Sequence, residues 1–557
     1  MTKSRVITLT ILILAIVVGA FLRFYKLGES PSGFYLDEVA MGYDAFSILK
    51  TGKDEFGMPY PIIFRSFLDF KTPIYTYLIV PLIPLFDLTP FTVRFPSAFF
   101  GVLTLPLLFV LLKKITEEKY GSSLALIATI FLSISPWHIV FSRTAYETNI
   151  ALFFLLLGTY IFYHSLQKPW LFVLASLALA TSFTAYHAER LVVPILLIAL
   201  AITFQKNLLS KIKTYLLPVI LSFLVGLYLT LPTLKLMQTP GFLSRATTLN
   251  IFSYTNQMPW GYKISQTNLE HLLNTPQLLS LKEFASLYTS YFSPRYLFSI
   301  GDAGPRSSYP DFGTFFVWQF PLYLIGLYFL IKDEKLVNLK VFVFTLLLAS
   351  PIPAALTRDP YTTIRSLPMV IPLTVIMAYG LLKVFKALPP KISHYKYLIV
   401  IFLLLVSTTK LFISIFKFND FFRAQHWDFG WKQVINNFAD FDPKLPIIVD
   451  NSRGEAYIHL LFFLKYSPEQ YQKDNFEVSL SQYYTSMQRN KIKNLGNITV
   501  KNFQWGIDTD TVEKYLIVDE VAISEVQYKD HNMTLIDEIF YPNKNVAFRI
   551  LKTNPKQ

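Results

Sequence analysis

A short acidic stretch, GFYLDEVAMGYDAF (33–46), carries side chains suited to proton transfer. The sequence DEVAMGYDAFSILKTG (37–52) predicts an amphipathic helix that ends near Gly52. Asp37 and Glu38 are adjacent in its first turn, and Asp44 follows Asp37 by seven residues, a spacing that puts both aspartates on one helix face. Acidic side chains at a membrane surface are costly unless they are paired, solvated or used in function. Acidic residues also favour helix N-termini for electrostatic reasons alone, and the residues by themselves leave both interpretations open.

A lysine in the stretch FRSFLDFKTPIY (64–75) is the second candidate. Lys71 lies two residues after Asp69 and just before an apolar segment. A lysine at a membrane boundary either extends its amino group toward water or holds a lipid phosphate as a point charge. Lys71 is therefore a candidate phosphate ligand, and Asp69 is a secondary site residue.

Further ionisable residues adjoin other apolar segments. Arg143 and Glu147 lie in SRTAYE at a four-residue spacing that allows an ordinary helical ion pair. His187 and Arg190 lie in YHAER, and Arg365 follows DPYTTI. These side chains belong either to structural networks or to a binding site, and the sequence alone does not decide between the two.

The elements that must position these residues are membrane spans. Hydrophobic residues make up 53% of the 557-residue chain and charged residues only 16%, below the roughly 25% of soluble proteins. An apolar run of about 20 residues is long enough to cross a bilayer as a helix. We expect about eleven spans, near residues 6–25, 92–112, 121–136, 149–166, 169–186, 190–205, 214–233, 313–331, 340–352, 366–384 and 397–416.

The distribution of lysines predicts the orientation of these spans. With the N-terminus inside, the lysine-rich loops fall on the cytoplasmic side, as the positive-inside rule requires. The transmembrane domain is then 1–416, with long outer loops at 26–91 and 234–312, and the C-terminus lies outside. The segment 72–88 is short and interrupted by prolines, so we expect a surface helix there.

The outer segment 417–557 has the pattern of a small α/β domain. Apolar runs at 444–450, 513–523 and 546–553 predict strands, and 455–471 predicts a helix. Strands that alternate with a helix favour a mixed sheet.

The composition argues against several classes of protein. The chain has no cysteine, which excludes disulfides and thiolate chemistry. It has no GxxxxGK[ST] loop, which argues against an ATP-driven machine, and no His and acidic set with structural-zinc spacing. The net charge of +14 is explained by loop lysines that orient the spans, so we expect no nucleic-acid partner.

Together the motifs resemble the polytopic lipid-dependent glycosyltransferases of family 39 type, which include protein O-mannosyltransferases and the lipid A aminoarabinose transferase. The resemblance covers about residues 6–415. It implies a GT-C-like bundle of transmembrane helices, surface helices in the first outer loop and an outer C-terminal domain. It rests on the order and spacing of YLDEVAMGYDAF, FKTPIYTYL, VRFPSAFFGVLTLPLLFVLLKK, SPWHIVFSRTAYE and YHAERLVVPILL.

The resemblance also implies roles for the candidate residues. Asp37 is the expected catalytic carboxylate, with Glu38 as the second choice, and Lys71 is expected to bind the donor phosphate. A divalent metal held by Asp37 and Glu147 is compatible with the family but not demanded by it. The other expected contacts are Arg190 and Arg365 to donor phosphate, and Asp44, Asp69, Arg143, Glu147 and His187 in secondary positions.

The implied activity is transfer of a sugar from a polyprenyl-phosphate donor to an acceptor on the outer side of the cytoplasmic membrane. A direct inverting displacement follows by analogy. Partners are then the lipid-linked donor, the bilayer, and a protein, glycan or glycolipid acceptor. Two alternatives from other classes are a flippase or transporter of a lipid-linked saccharide and a non-catalytic membrane scaffold.

Overall fold

The computed structural model describes residues 3–67, 69–116, 121–236, 239, 264, 266–357, 361–389, 394–486, 489–509 and 512–554. The chain forms two compact units. The first comprises residues 1–25, 96–238 and 242–414, and the second comprises 26–95, 239–241 and 415–557.

The described helices follow one another through most of the chain. In chain order they are α1 (Lys3–Phe24), α2 (Leu36–Thr51), α3 (Pro73–Ile79), α4 (Ile83–Phe86), α5 (Pro90–Ile115), α6 (Gly121–Ser133), α7 (Pro136–Ser142), α8 (Glu147–Ser165), α9 (Leu171–Ala185), α10 (Glu189–Ser210), α11 (Ile212–Lys235), α12 (Asn268–Leu273), α13 (Pro276–Ser290), α14 (Phe320–Lys332), α15 (Val337–Ala349), α16 (Pro351–Ala355), α17 (Val370–Ala387), α18 (Lys396–Ile413), α19 (Asn419–Arg423), α20 (Trp431–Asn436), α21 (Ala456–Phe463), α22 (Pro468–Asp474) and α23 (Glu525–Asp530).

Eight helices in the described part of the chain are long and apolar enough to cross a membrane. They are Arg5–Phe24, Pro90–Ile115, Glu147–Ser165, Glu189–Ser210, Ile212–Lys235, Val337–Ala355, Leu367–Ala387 and Lys396–Trp427. A ninth is added if Ser122–Ser133 and Pro136–Ser142, which meet at a bend of 59°, form one broken span. The protein is thus a multi-pass helical membrane protein, as predicted, but the count of eleven spans is not confirmed.

The difference in count comes from helix length. Two of the expected spans are the shorter apolar helices Leu171–Ala185 and Val317–Lys332. The segment between 72 and 88 is a third short apolar helix, Pro73–Phe86, broken into α3, a 3-10 turn and α4. Part of the expected second outer loop, residues 240–263, lies outside the described residues.

Glycines let two helices of the first unit approach closely. A Cβ at Gly326 of α14 would lie 1.9 Å from the carbonyl oxygen of Ile376, and one at Gly380 of α17 would lie 2.0 Å from that of Leu322. Because both obstacles are backbone atoms, neither position accepts a side chain without separating the helices. Small residues at helix crossings are the usual device for close packing in membranes.

The second unit contains all the described strands. These are β1 (Phe64–Ser66), β2 (Asp69–Lys71), β3 (Ile447–Asp450), β4 (Lys493–Leu495), β5 (Ile498–Lys501), β6 (Tyr515–Val518), β7 (Met533–Phe540) and β8 (Val546–Thr553). Strands β1 and β2 form an antiparallel hairpin in which Phe64 pairs with Lys71. The others form one sheet of order β4-β5-β3-β6-β8-β7, in which β3 is parallel to both of its neighbours.

The predicted α/β character of the C-terminal segment is confirmed, with three strands near the expected positions. The expected single helix at 455–471 is wrong. It is the pair α21 and α22, separated where Ser467 caps α22 and Pro468 begins it. A proline is favourable in the first turn of a helix but breaks a helix interior, so the chain ends one helix before starting the next.

Candidate active site at the start of helix α2

Helix α2 presents the acidic pair at its first turn. The helix runs from Leu36 to Thr51, and Gly52 ends it in a left-handed conformation with φ of 70°. The amide of Leu36 donates to Oδ2 of Asp428 at 2.9 Å, and the amide of Tyr35 donates to Oε2 of Glu38 at 3.4 Å. Carboxylates thus satisfy amides that a helix N-terminus leaves without partners. The helix predicted from the sequence is confirmed.

The structure joins the two residues expected to be central. Nζ of Lys71, at the end of β2, lies 3.0 Å from Oδ1 of Asp37. The lysine side chain is only 8% exposed, whereas the aspartate is 27% exposed. A buried ammonium requires an anionic partner because desolvation of an unpaired charge is costly. Asp37 supplies that partner and still presents part of its carboxylate to the surroundings.

Glu38 faces a different partner, Arg94, in a buried bidentate pair. Nε of Arg94 lies 3.0 Å from Oε1 and Nη2 lies 2.9 Å from Oε2 of Glu38. The same guanidinium donates to the carbonyl oxygens of Leu27, Pro31 and Gly33 at 3.2, 3.2 and 2.7 Å. Arg94 therefore fixes the turn before α2 and the acidic first turn of the helix in one network.

Asp44 lies elsewhere, in a second buried acidic group. It is two helical turns, about 10 Å, beyond Asp37 along α2, and its Oδ1 accepts a hydrogen bond from the amide of Glu55 at 3.0 Å. Burial raises the pKa of Asp44, raises the pKa of Asp54 to about 7 and raises that of Glu55 to about 8. Asp44 is thus separate from the pair of Asp37 and Lys71.

The other sequence candidates occupy defined places. Asp69 begins β2 in the second unit. Within the first unit, Nη1 of Arg143 donates to the carbonyl oxygens of Leu22, Arg23 and Tyr25 at 2.9, 3.3 and 2.9 Å, at the C-terminal end of α1. A cation there complements the negative end of the helix.

The four remaining sequence candidates, Glu147, His187, Arg190 and Arg365, also lie in the first unit. Glu147 is the first residue of α8 and is buried. His187 lies in the turn between α9 and α10, and Arg190 is the second residue of α10. Arg365 donates from Nη1 to the hydroxyl of Thr357 at 2.6 Å. The roles expected for these four residues stay predictions.

No group of three or more His, Asp or Glu side chains suited to hold a metal occurs among the residues that the structure describes. Asp37 has Lys71 as its nearest charge partner. The expected two-carboxylate metal site of Asp37 and Glu147 stays a prediction.

Sequence reasoning missed two features of this site. Arg94 was only one letter of an apolar motif, and nothing in the sequence relates it to Glu38, 56 positions away. The partners of Asp44 were missed for the same reason. Asp54 and Glu55 form their acidic group through contacts with Tyr483 and Tyr457, far along the chain.

Part of the chain matches the model of a known protein family. Residues 70–231 match the model of the family described as dolichyl-phosphate-mannose-protein mannosyltransferase. No curated protein sequence matches the chain. The matched region includes Lys71 and Arg94.

Among solved structures, ArnT from Cupriavidus metallidurans bound to undecaprenyl phosphate superposes with a TM-score of 0.50 at 11% identity, covering 98% of this chain and 99% of that one. The oligosaccharyltransferase AglB from Archaeoglobus fulgidus, in complex with an inhibitory peptide and a dolichol-phosphate, gives 0.47 at 12% identity, covering 83% and 64%. The ArnT match shows a common GT-C fold. The resemblance to the polytopic lipid-dependent glycosyltransferases of family 39 type is thus confirmed, by the family model over residues 70–231 and by the fold of the whole chain.

Proposed function

We propose that the protein is a membrane glycosyltransferase that moves a sugar from a polyprenyl-phosphate donor to an acceptor at the outer face of the cytoplasmic membrane. The observation that carries the proposal is the pair of Asp37 and Lys71, whose carboxylate and ammonium groups lie 3.0 Å apart. These are the two kinds of group that the reaction needs as a base and as a phosphate-binding cation. The matched family and the fold supply the reaction class.

The chemistry needs two charges of opposite sign close together. The acceptor hydroxyl or amine loses its proton to the carboxylate of Asp37 as it attacks C1 of the donor sugar. The bond between C1 and the phosphate oxygen breaks, and the electron pair leaves with the polyprenyl phosphate. Lys71 stabilises the negative charge that develops on that phosphate. A single displacement of this kind inverts the anomeric centre.

The binding of the donor would change the charge partner of Lys71. In the structure its charge is balanced by Asp37. A donor phosphate that approaches the ammonium takes over part of this balance and releases the carboxylate to accept a proton. We therefore assign donor binding to Lys71 and proton acceptance to Asp37.

Glu38 acts in this proposal as a positioning residue. Both of its carboxylate oxygens are engaged by Arg94. The pair holds the turn at 27–33 against the first turn of α2, which fixes the direction of Asp37. Arg190, Arg365, Glu147 and His187 stay candidates for further contacts with donor or acceptor.

Donor use is tested on the full-length protein in detergent. Polyprenyl-phosphate sugars are supplied as a panel, with polyprenyl-diphosphate sugars and nucleotide sugars as controls. We expect one monophosphate-linked sugar to raise the Tm and to release polyprenyl phosphate when acceptor is present. Binding of no lipid-linked sugar, or use of nucleotide sugars instead, would overturn the proposal. Binding without release in any acceptor mixture would favour the flippase alternative.

A further inference from the structure

A cavity lies at the carboxyl ends of two parallel strands of the C-terminal sheet. From β3 the chain passes through α21 and α22 to β5 on one side, and it then crosses to β6 on the other side of β3. Such a reversal of direction opens a crevice where ligands of α/β sheets bind. The cavity has a volume of about 300 Å³, the lower end of the usual range for small-molecule sites, roughly 300–1,000 Å³.

One wall of the cavity holds a fixed cation. Arg453 follows β3, and its Nε lies 2.5 Å from Oδ2 of Asp519, the residue after β6. Its Nη1 donates to the hydroxyl of Tyr541 at 2.8 Å and to the carbonyl oxygen of Ala547 at 3.1 Å. In the described part of the chain, its Nη2 makes no hydrogen bond. The side chain is 39% exposed, so Nη2 is a donor ready for a ligand.

Another part of the lining is aromatic, and the guanidinium of Arg453 lies 5.6 Å from the ring centroid of Phe548. The ring of Trp431 stacks on His459 with centroids 5.2 Å apart and meets Phe548 at 4.7 Å. Burial lowers the pKa of His459 to about 3, so this imidazole is neutral. Its Nδ1 is buried and has no hydrogen-bond partner among the described residues. The cavity therefore combines an aromatic surface with an unused polar atom on a buried side chain.

The charge of the lining selects the kind of ligand. Arg453 stands among four acidic residues, Asp428, Asp450, Glu455 and Asp519. Asp519 is paired with Arg453 and Glu455 with Arg489, which leaves Asp428 and Asp450 as the excess negative charge. A phosphate or nucleotide would be repelled by this excess of carboxylates. A sugar ring suits it, because hydroxyls donate to carboxylates and accept from the guanidinium, while the C–H face of the ring packs on an aromatic side chain.

We propose that this cavity binds a saccharide unit of the acceptor, so that the acceptor is a glycan-bearing molecule. The identification of the bound saccharide as part of the acceptor rests on the proposed function. Saccharide binding in the cavity does not depend on it. Leu36 lines the cavity and is the residue directly before Asp37. Asp37 itself is not part of the lining, so the acceptor must extend beyond the bound saccharide to present a hydroxyl or amine to the proposed base.

The test measures saccharide binding directly, without donor. Methyl glycosides of glucose, galactose and mannose are added to the full-length protein in detergent, and saturation-transfer NMR gives the Kd of each. We expect at least one glycoside to bind, and Arg453→Gln to weaken it about tenfold, since a hydrogen bond to a charged group is lost. Arg453→Lys retains the charge and should recover part of the affinity. Lys529→Gln, which removes an exposed lysine of α23, should leave the Kd unchanged.

The outcomes separate this inference from the proposed function. Donor stabilisation and polyprenyl phosphate release are measured on the same wild-type sample. Donor use without binding of any glycoside would overturn the saccharide site and leave the transferase intact. Equal loss of affinity in Arg453→Gln and Lys529→Gln, at unchanged Tm, would also overturn it. Glycoside binding lost only in the Arg453 variants, together with transfer to an acceptor that carries that saccharide, would support it.

Discussion

At the scale of single residues, the candidate site contains three buried charged side chains, Lys71, Arg94 and Glu38. Among the described residues, Lys71 has one charge partner, Asp37, and that partner is partly exposed. Arg94 donates to both oxygens of Glu38 and to three carbonyl groups. The contrast separates a cation that can exchange partners from one that is committed to the fold.

Replacement of Lys71 by alanine should weaken donor binding roughly tenfold to a hundredfold, because a hydrogen bond to a charged phosphate is lost. The Kd for the polyprenyl-phosphate sugar, taken from donor-dependent thermal shifts, measures this. Lys26→Ala is the matched control, since Lys26 forms an exposed pair with Glu29 at 3.7 Å. Equal donor affinity in Lys71→Ala and wild type would contradict the assignment.

Glu38→Gln should lower the Tm, because it leaves the guanidinium of Arg94 buried without a counter-charge. Breaking such a pair costs about 3–5 kcal/mol of folding free energy. Transfer per folded molecule should also fall, because the first turn of α2 no longer holds Asp37 in place, while donor affinity should stay close to that of wild type. Wild-type Tm together with wild-type transfer in this variant would contradict the positioning role of Glu38.

At the scale of elements, the local sequence pattern predicted those helices and strands whose ends and composition are set by nearby residues. Helix α2 was expected from its acidic first turn and from Gly52, whose φ of 70° ends the helix. Strands β3, β6 and β8 were expected from compact runs of β-branched and apolar residues. Strand β7 was missed because its sequence, MTLIDEIF, mixes charged and apolar residues at a sheet edge.

Contacts between distant segments were beyond sequence reasoning. The pairing of Asp37 with Lys71 depends on the hairpin of β1 and β2, whose register no local signal sets. The cavity beside Trp431 depends on the strand order of the sheet. The Asp37–Lys71 contact and the cavity both depend on tertiary packing, which local patterns in a single sequence do not reveal.

The raised pKa values of Asp54 and Glu55 predict that the stability of the second unit depends on pH. Burial raises both pKa values, to about 7 and about 8, while Lys493 and Arg65 oppose the shift. A carboxyl with a raised pKa favours the folded state at low pH, and this contribution is lost as pH rises through the folded pKa. Because such carboxyls titrate near pH 4 in the unfolded chain, we expect the Tm to fall between about pH 4 and pH 8 and to level off above pH 8.

Glu55→Gln gives the control for this pH dependence. The amide keeps the shape of the neutral acid, so the fall in Tm should be smaller in the variant than in wild type. The same scans on Glu525→Gln, which alters an exposed pair with Lys529, should follow wild type. A Tm that rises from pH 5 to pH 8 in wild type would contradict the assignment of raised pKa values.

At the scale of the whole molecule, composition predicted a polytopic membrane protein but not its number of spans. Helix α9 has 15 residues and is therefore about 22 Å long, shorter than a bilayer core of roughly 30 Å. The sequence predicted a span here because the segment is apolar, and the apolar content does not reveal where the helix begins and ends. Orientation of the chain in the membrane stays a prediction from its lysines.

The close approach of α14 and α17 should control assembly of the first unit. Gly380→Leu places a side chain where a Cβ already lies 2.0 Å from the carbonyl oxygen of Leu322. We expect loss of folded protein, or a lower Tm, in detergent. Leu324→Ala on α14, at an exposed position, should have little effect. Equal Tm values in these two variants would show that the close crossing of α14 and α17 does not stabilise the first unit.

The most direct test of the central proposal is the rate of sugar transfer by Asp37→Asn at saturating donor. The amide keeps the shape of the side chain but cannot accept the acceptor proton, so transfer should fall roughly 10²–10⁴-fold while the donor still stabilises the protein. Asp87→Asn, which alters an exposed aspartate paired with Lys465, should transfer at the wild-type rate. Wild-type transfer by Asp37→Asn would contradict the role of Asp37 as the catalytic base.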